Sequence, residues 1–312
     1  MTYFRRKTTT SMQDCSARID AATRDLAESD HILIGAGAGL SAAAGLNYQD
    51  AQLFDAWYPQ FARLGYRNIW DAITHHWSPD NANRRQFWAF WATHIQRIRY
   101  DAGPGKAYLD LHRLVREKSH FVITTNVDGQ FAKAGFDPNR LFTTQGDYAK
   151  FQCAKPCRNI LYENFEMVQR MLANLDDSKL HAREEDIPHC PNCGEYLERN
   201  LRRDDHFVEE PWMEKRIDYA DFVNHSTSGR LVLLELGVGF NTPSIIRWPF
   251  ERITVKHPHA TLIRINLDDA RIPGEIATKS IGFQEDIVRV LQSLIDQYPG
   301  IPACLPCRSQ SS

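Results

Sequence analysis

The amino-acid sequence predicts an α/β fold, a doubly wound parallel sheet interrupted by a helical cap and by a small cysteine-bearing module. Three observations carry this reading. Apolar, β-branched runs, HILIGAG (31–37), HFVITTN (120–126), RLVLLELG (230–237) and ATLIRINL (260–267), end in glycine-bearing or polar loops, as buried parallel strands do. Helical patterns lie between them, and strands alternating with helices define the doubly wound class. From Phe151 to about Glu210 strand periodicity fades, and two cysteine pairs appear with 32 residues between them.

In chain order, Arg5, Arg6 and Lys7 precede polar TTTSMQD where a signal peptide would need an apolar run, so a frayed terminus and a cytoplasmic protein are expected. Ile19, Ala22 and Leu26 fall at helical spacing ahead of the first strand. Residues 51–118 read as a largely helical cap, whose Trp57, Trp70, Trp77, Trp88 and Trp91 suit internal packing. QEDIVRVLQSLIDQY (284–298) has an acidic start and Ile287, Val290, Leu291 and Leu294 on one face, which suits a closing helix. The expected organisation is a nucleotide-binding domain over 13–150 and 211–300, a small module over 151–210, and a tail over 301–312 holding Cys304 and Cys307. A net charge of -2 offers no footprint for nucleic acid, and no apolar run is long enough to span a membrane.

Several motifs carry chemistry. GAGAGLSAAAG (35–45) follows a strand, and Gly35, Gly37 and Gly39 would let backbone approach a pyrophosphate closely, although an ordinary glycine turn reads the same way. TTNVDG (124–129) places Asn126 and Asp128 at the carboxyl end of a parallel strand, where open α/β sheets bind ligands; an Asx turn is the alternative. Gly237 and Gly239 in GVGFNTPS permit a second backbone approach, and Asn266 in RINLDD could meet a ribose hydroxyl. Cys153 and Cys157 with Cys190 and Cys193 supply four thiolates in two close pairs, the donor set of structural Zn²⁺ with no open catalytic position.

Taken in order, these motifs resemble the sirtuin family, NAD-dependent enzymes with a Rossmann-like domain and an inserted zinc-binding module. GAGLSAAAG is similar to their GAGxSxxxG turn, TTNVDG to their TQNxDG, and GVGF stands where they carry GTS. The resemblance implies that Gly37, Ala38, Gly39 and Ser41 lie against NAD phosphate or ribose, Asn126 against the nicotinamide-side ribose, and Asp128 against the carboxamide. It places Gly237, Gly239, Asn266 and Gln284 of FQED on the adenosine side. Three positions depart from it: NYQD (47–50) replaces PDFR, with Tyr48 standing in for the lost aromatic, Thr125 replaces glutamine, and the family's HG dipeptide is Gln145-Gly146.

The last departure bears on chemistry. Sirtuin deacylation needs a histidine, whose pKa of ~6.5 suits proton transfer at neutral pH. A glutamine amide has no proton-accepting state, and losing a general base costs roughly 10²–10⁴-fold. Glycosidic cleavage of NAD depends on positioning and electrostatics, and survives the change. GAGAGLSAAAG, TTNVDG and TTQGDY together resemble the class M, macrodomain-linked sirtuins. That resemblance implies protein mono-ADP-ribosylation with Asn126 and Gln145 as the catalytic pair. It also implies a lipoylated glycine-cleavage H-like carrier as acceptor, with a lipoate ligase and a macrodomain hydrolase as pathway partners. The alternatives are a lysine deacylase of unusual mechanism and a non-catalytic NAD sensor.

Overall fold

The computed structural model describes residues 12–79 and 82–298; Cys304 and Cys307 lie outside them. Among the described residues the strands are β1 (His31–Ala36), β2 (Ser119–Thr124), β3 (Leu141–Thr143), β4 (Gly146–Cys153), β5 (Tyr162–Glu163), β6 (Leu197–Leu201), β7 (Leu231–Leu236), β8 (Ala260–Ile265) and β9 (Ser280–Phe283). The α-helices are α1 (Met12–Glu28), α2 (Ala38–Ala43), α3 (Ala51–Trp57), α4 (Pro59–Ala62), α5 (Ile69–His75), α6 (Arg84–Ile95), α7 (Lys106–Val115), α8 (Gln130–Lys133), α9 (Phe165–Ala173), α10 (Met213–Ser226), α11 (Arg247–Lys256) and α12 (Ile287–Gln297).

Six strands form a wholly parallel sheet in the order β3-β2-β1-β7-β8-β9. Counted along the chain within this sheet, that is the 3-2-1-4-5-6 order of a Rossmann fold, whose topological switch point lies between β1 and β7. The alternation of β1 shows why its run is apolar throughout. Ile32, Ile34 and Ala36 face a core built with α1, α7 and α12, whereas Leu33 faces one built with α10 and α11. A strand covered on both faces has no polar side to show. β7 makes one exception at Glu235, which is fully buried and bidentate to its cross-strand partner Arg264 at 2.7 and 2.9 Å. The edge strands β3 and β9 are three and four residues long, too short to register as periodic runs in sequence.

The helical segment and the cysteine module share one core. α6 is buried on every side from Phe87 to Ile95, as a helix apolar all round must be, and its Trp88 and Trp91 pack with Phe151, Val168 and Met171. α7 departs from the expected cap: its Tyr108, Leu111 and Leu114 pack on the parallel sheet. The small antiparallel sheet, β5-β4-β6, begins at Gly146, five residues ahead of the break at Phe151 suggested by the sequence pattern. Among the described residues no helix is long and apolar enough to cross a membrane.

His76 closes α5 and is fully buried, its ring stacked 4.9 Å from Phe90 and edge-on to Phe61. Neither ring nitrogen has a hydrogen-bond partner among the described residues, and burial pushes its pKa down from 6.5 to about 4. The unfolded chain therefore takes up this proton first as pH falls, so stability is full above about 6.5 and is lost toward pH 4. His76→Phe should keep the packing and flatten this acid slope, recovering roughly 1–3 kcal/mol at pH 4 relative to pH 7. Urea unfolding at the two pH values measures it, and an identical slope in both proteins would refute the assignment.

Candidate functional site

The site begins where two glycine loops touch at the switch point. Gly37 N donates to Leu236 O and Gly39 N to Gly237 O, both at 3.0 Å. A Cβ on Gly39 would lie 2.6 Å from the Gly237 Cα, and one on Gly237, whose φ is +61°, would lie 2.5 Å from Gly39. These glycines are thus required first for backbone-to-backbone packing of the β1 and β7 loops. Gly239 differs: a Cβ there would meet nothing within 4 Å.

Above the loops opens a cavity of about 770 Å³, the size of a cofactor site. Of the residues singled out from sequence, Gly37, Ala38, Gly39 and Tyr48 line one part of it, Gln145 another, and Gly237, Gly239 and Asn266 a third. Trp70 and Trp77 also line it, half-exposed, so these two tryptophans are cavity walls where the sequence pattern suggested packing alone. The Asn266 amide is engaged by protein: Nδ2 donates to Val238 O at 2.9 Å, and Oδ1 accepts from Asp268 N and Asp269 N at 2.9 and 3.1 Å. Gln284 stands behind that turn, donating to Asp268 O at 3.1 Å, and does not line the cavity.

Ser41, Asn126 and Asp128 lie beneath the floor in a buried polar network that also contains Tyr108. Ser41 Oγ meets Asp128 Oδ2 at 2.5 Å and Tyr108 Oη at 2.9 Å, and Asn126 Nδ2 donates to both Gly37 O and Tyr108 Oη at 3.0 Å. Burial pushes the Asp128 carboxyl above the usual carboxylate range, against bonds from Ser41 and Gln130 that favour its ionised form.

Gln145 sits between β3 and β4 on a heavily constrained turn. Its carbonyl accepts from Arg202 N at 3.1 Å. Gly146 follows with φ +94°, and a Cβ there would fall 1.9 Å from Asn200 O. Asp147 is held by Arg99 at 2.8 Å from the π-helical turn that ends α6. Among the described residues lining the cavity there is no histidine. The phenols on the wall, Tyr48 and Tyr148, are pushed up by burial, Tyr148 to about 12. His94 lies behind them, bonded to Tyr58 Oη at 2.9 Å and Tyr48 Oη at 3.4 Å, and burial holds its pKa down to about 3. The cavity therefore surrounds Gln145 with hydrogen-bonding groups and no histidine; its carboxylates, Asp268 and Asp269, belong to the turn capped by Asn266. Sequence reading missed Tyr108 and His94, which occupy apolar-looking helical stretches, and Tyr148, which ends TTQGDY; all three become legible only as neighbours in space.

The four cysteine sulfurs of the small module lie within 4.8 Å of one another, with Cys153–Cys193 and Cys157–Cys190 both at 3.6 Å. A tetrahedral Zn²⁺ with bonds of about 2.3 Å needs sulfurs about 3.8 Å apart, so the donor set fits the ion. Gly194, with φ +76°, donates its N–H to Cys190 O at 2.9 Å and closes the turn. His189 bonds its own chain at Ile187 O, 2.9 Å away.

No family model matches the chain. The protein ADP-ribosyltransferase of Staphylococcus aureus (strain Mu50) is 30% identical over 271 residues, 86% of this chain and 84% of that protein. A probable bifunctional ADP-ribose hydrolase/ADP-ribosyltransferase of Fusarium oxysporum f. sp. cubense is 29% identical over 282 residues; the match covers 87% of this chain but 46% of that longer protein. Among solved structures, a Sir2 homologue mutant in complex with ADP-ribose aligns with a TM-score of 0.55 at 17% identity, over 89% of this chain and 96% of that one. Sir2Tm bound to a propionylated peptide aligns at 0.53 and 18%, over 89% and 97%. The structural likeness gives the class, a sirtuin fold. With the bacterial relative, it follows that the chain belongs to the sirtuin-type, NAD-dependent protein ADP-ribosyltransferases.

Two tests follow from this geometry. Gly39→Ala should lower the melting temperature through its backbone clash, whereas Gly239→Ala should keep it and weaken NAD binding alone; equal melting temperatures in the two variants would contradict the packing role. Metal analysis should find one zinc per chain, and Cys193→Ser should lower both zinc content and stability. Zinc-free protein of unchanged stability would remove the structural-metal assignment.

Proposed function

We propose that this protein cleaves the nicotinamide glycosidic bond of NAD and transfers the ADP-ribosyl group to a lipoylated carrier protein resembling glycine-cleavage H protein. In the step, the C1′–N bond breaks with its electron pair leaving on nicotinamide, and a nucleophile of the acceptor bonds to C1′ and releases its proton. Asn126 and Gln145 align the ribose and the acceptor; Gly37, Ala38, Gly39 and Tyr48 serve the phosphate and nicotinamide side, with Ser41 and Asp128 supporting it from beneath, and Gly237, Gly239 and Asn266 the adenosine side, with Gln284 supporting that turn from behind. The observation that carries this reading is Gln145 on a rigid turn at a cavity whose described lining holds no histidine. Such a site can orient a displacement, which needs alignment, and lacks the histidine on which sirtuin deacylation depends.

The carrier is supported by resemblance of the motifs, and a hydrolase partner by the Fusarium relative, whose name joins ADP-ribose hydrolase to transferase on one chain. A macrodomain hydrolase that removes the mark and a lipoate ligase that prepares the acceptor complete the proposed pathway. Incubation with labelled NAD and lipoylated carrier should place label on the carrier. Asn126→Ala and Gln145→Ala should each lower that transfer by about 10²-fold. Label recovered only as free ADP-ribose would overturn the transferase reading, and equal labelling of unlipoylated carrier would overturn the choice of acceptor.

A further inference from the structure

Tyr108 lies on the apolar side of α7, fully buried, its ring edge-on to Phe131 at 4.9 Å. Its hydroxyl stands between two groups of the site, and the direction of each hydrogen bond follows from counting protons. An asparagine amide has two N–H donors. Those of Asn126 go to Gly37 O and to Tyr108 Oη, each at 3.0 Å. Tyr108 Oη thus accepts from Asn126, and its own single proton goes to Ser41 Oγ at 2.9 Å. Ser41 then donates to Asp128 Oδ2 at 2.5 Å, while Asp128 Oδ1 takes the Gln130 N–H at 3.0 Å. The relay ends on a carboxyl group that accepts at both oxygens, which is what its ionised form does. Every donor from Asn126 through Tyr108 and Ser41 to Asp128 points the same way.

One atom is left over. Asn126 Oδ1 accepts from no described residue, and Thr125 and Val127, on either side of Asn126, line the cavity. Turning the amide over would set that oxygen against the Gly37 carbonyl, oxygen against oxygen, and would leave the Gly37 carbonyl without its donor.

We propose that Tyr108 is a positioning residue that locks the Asn126 amide with its carbonyl oxygen toward the cavity, so that Asn126 meets the ribose only as a hydrogen-bond acceptor. An acceptor dipole there steadies a ribose hydroxyl and faces the positive charge that builds at C1′ as nicotinamide leaves; an amide NH₂ would oppose it. The proposal rests on the reading that Asn126 acts at the ribose.

Tyr108→Phe keeps the ring and deletes the hydroxyl. Its melting temperature and NAD affinity should stay near wild type, within about threefold for affinity, while kcat for transfer falls about 10- to 100-fold. Ser41→Ala, which breaks the same relay one link further on, should also lower kcat and covers the case in which Tyr108→Phe folds poorly. An activity-independent readout is the side-chain amide of ¹⁵N-labelled Asn126, assigned by its disappearance in Asn126→Ala. Both its protons should exchange slowly with solvent in the wild type, and one should become fast in Tyr108→Phe. Wild-type kcat in Tyr108→Phe, or identical amide exchange in the two proteins, overturns the proposal. If Asn126→Ala also transfers at the wild-type rate, the role of Asn126 fails and takes the proposal with it; if only Tyr108→Phe does, that role stands and the proposal alone falls.

Discussion

The site depends on a contact between two stretches of backbone that have no side chains to keep them apart. Gly37 and Gly39 after β1 press against Gly237 after β7, with Gly37 N donating to Leu236 O and Gly39 N to Gly237 O, both at 3.0 Å. That contact closes the sheet's switch point into a floor, and the other walls are positioned relative to it. It also fixes Gly37 O, to which Asn126 donates, and Val238 O, to which Asn266 donates. Two asparagines from two different strand ends are thereby referred to one loop junction. A glycine-rich turn is commonly read as room for a phosphate; here the missing Cβ atoms of Gly37, Gly39 and Gly237 are first consumed by the protein itself, and of the four glycines lining the cavity Gly239 alone leaves open space.

The second lobe supplies what the parallel sheet lacks. Gln145 reaches the cavity because β4 leaves β3 through Gly146, at a φ and a clearance that only glycine permits, and because Arg99 grips Asp147 next door. Arg99 comes from the π-helical turn at the end of α6, the helix at the centre of the second core, so the glutamine is anchored to the best-packed element of that lobe. Preorganisation of this kind suits a residue whose contribution is alignment rather than proton transfer.

Much of the parallel sheet was legible in the chain because its strands are covered on both faces and read as unbroken apolar runs. β4 and β6 were not, since their buried positions include Gln152, Glu198, Arg199 and Asn200, whose burial is made tolerable by partners far away in sequence. The same physics hid part of the site. Gly239, Gln145 and the four cysteines announce themselves by residue type at a loop or in a pair. Tyr108 does not: between Ala107 and Leu111 a tyrosine looks like core, and its role follows from Asn126 and Ser41, 18 and 67 residues away. Ser41 and Asp128 stand out in the sequence as polar residues beside the glycine and TTN motifs, but they face each other beneath the floor and do not line the cavity.

β4 has a property that its place in the small sheet conceals. Gln145 immediately precedes its first residue, and Cys153, one of the four sulfur donors, is its last. Eight residues of strand, about 26 Å when fully extended, separate the alignment loop from the metal-binding cluster. The strand is not uniform along that length, because its pairing with β6 slips between Gly146 and Phe151, and this bulge divides a cavity end from a cysteine end. The two ends thus share one strand: the small module that gathers the four cysteines also carries the chain into the Gln145 turn, so it is a wall of the site as well as a fold of its own.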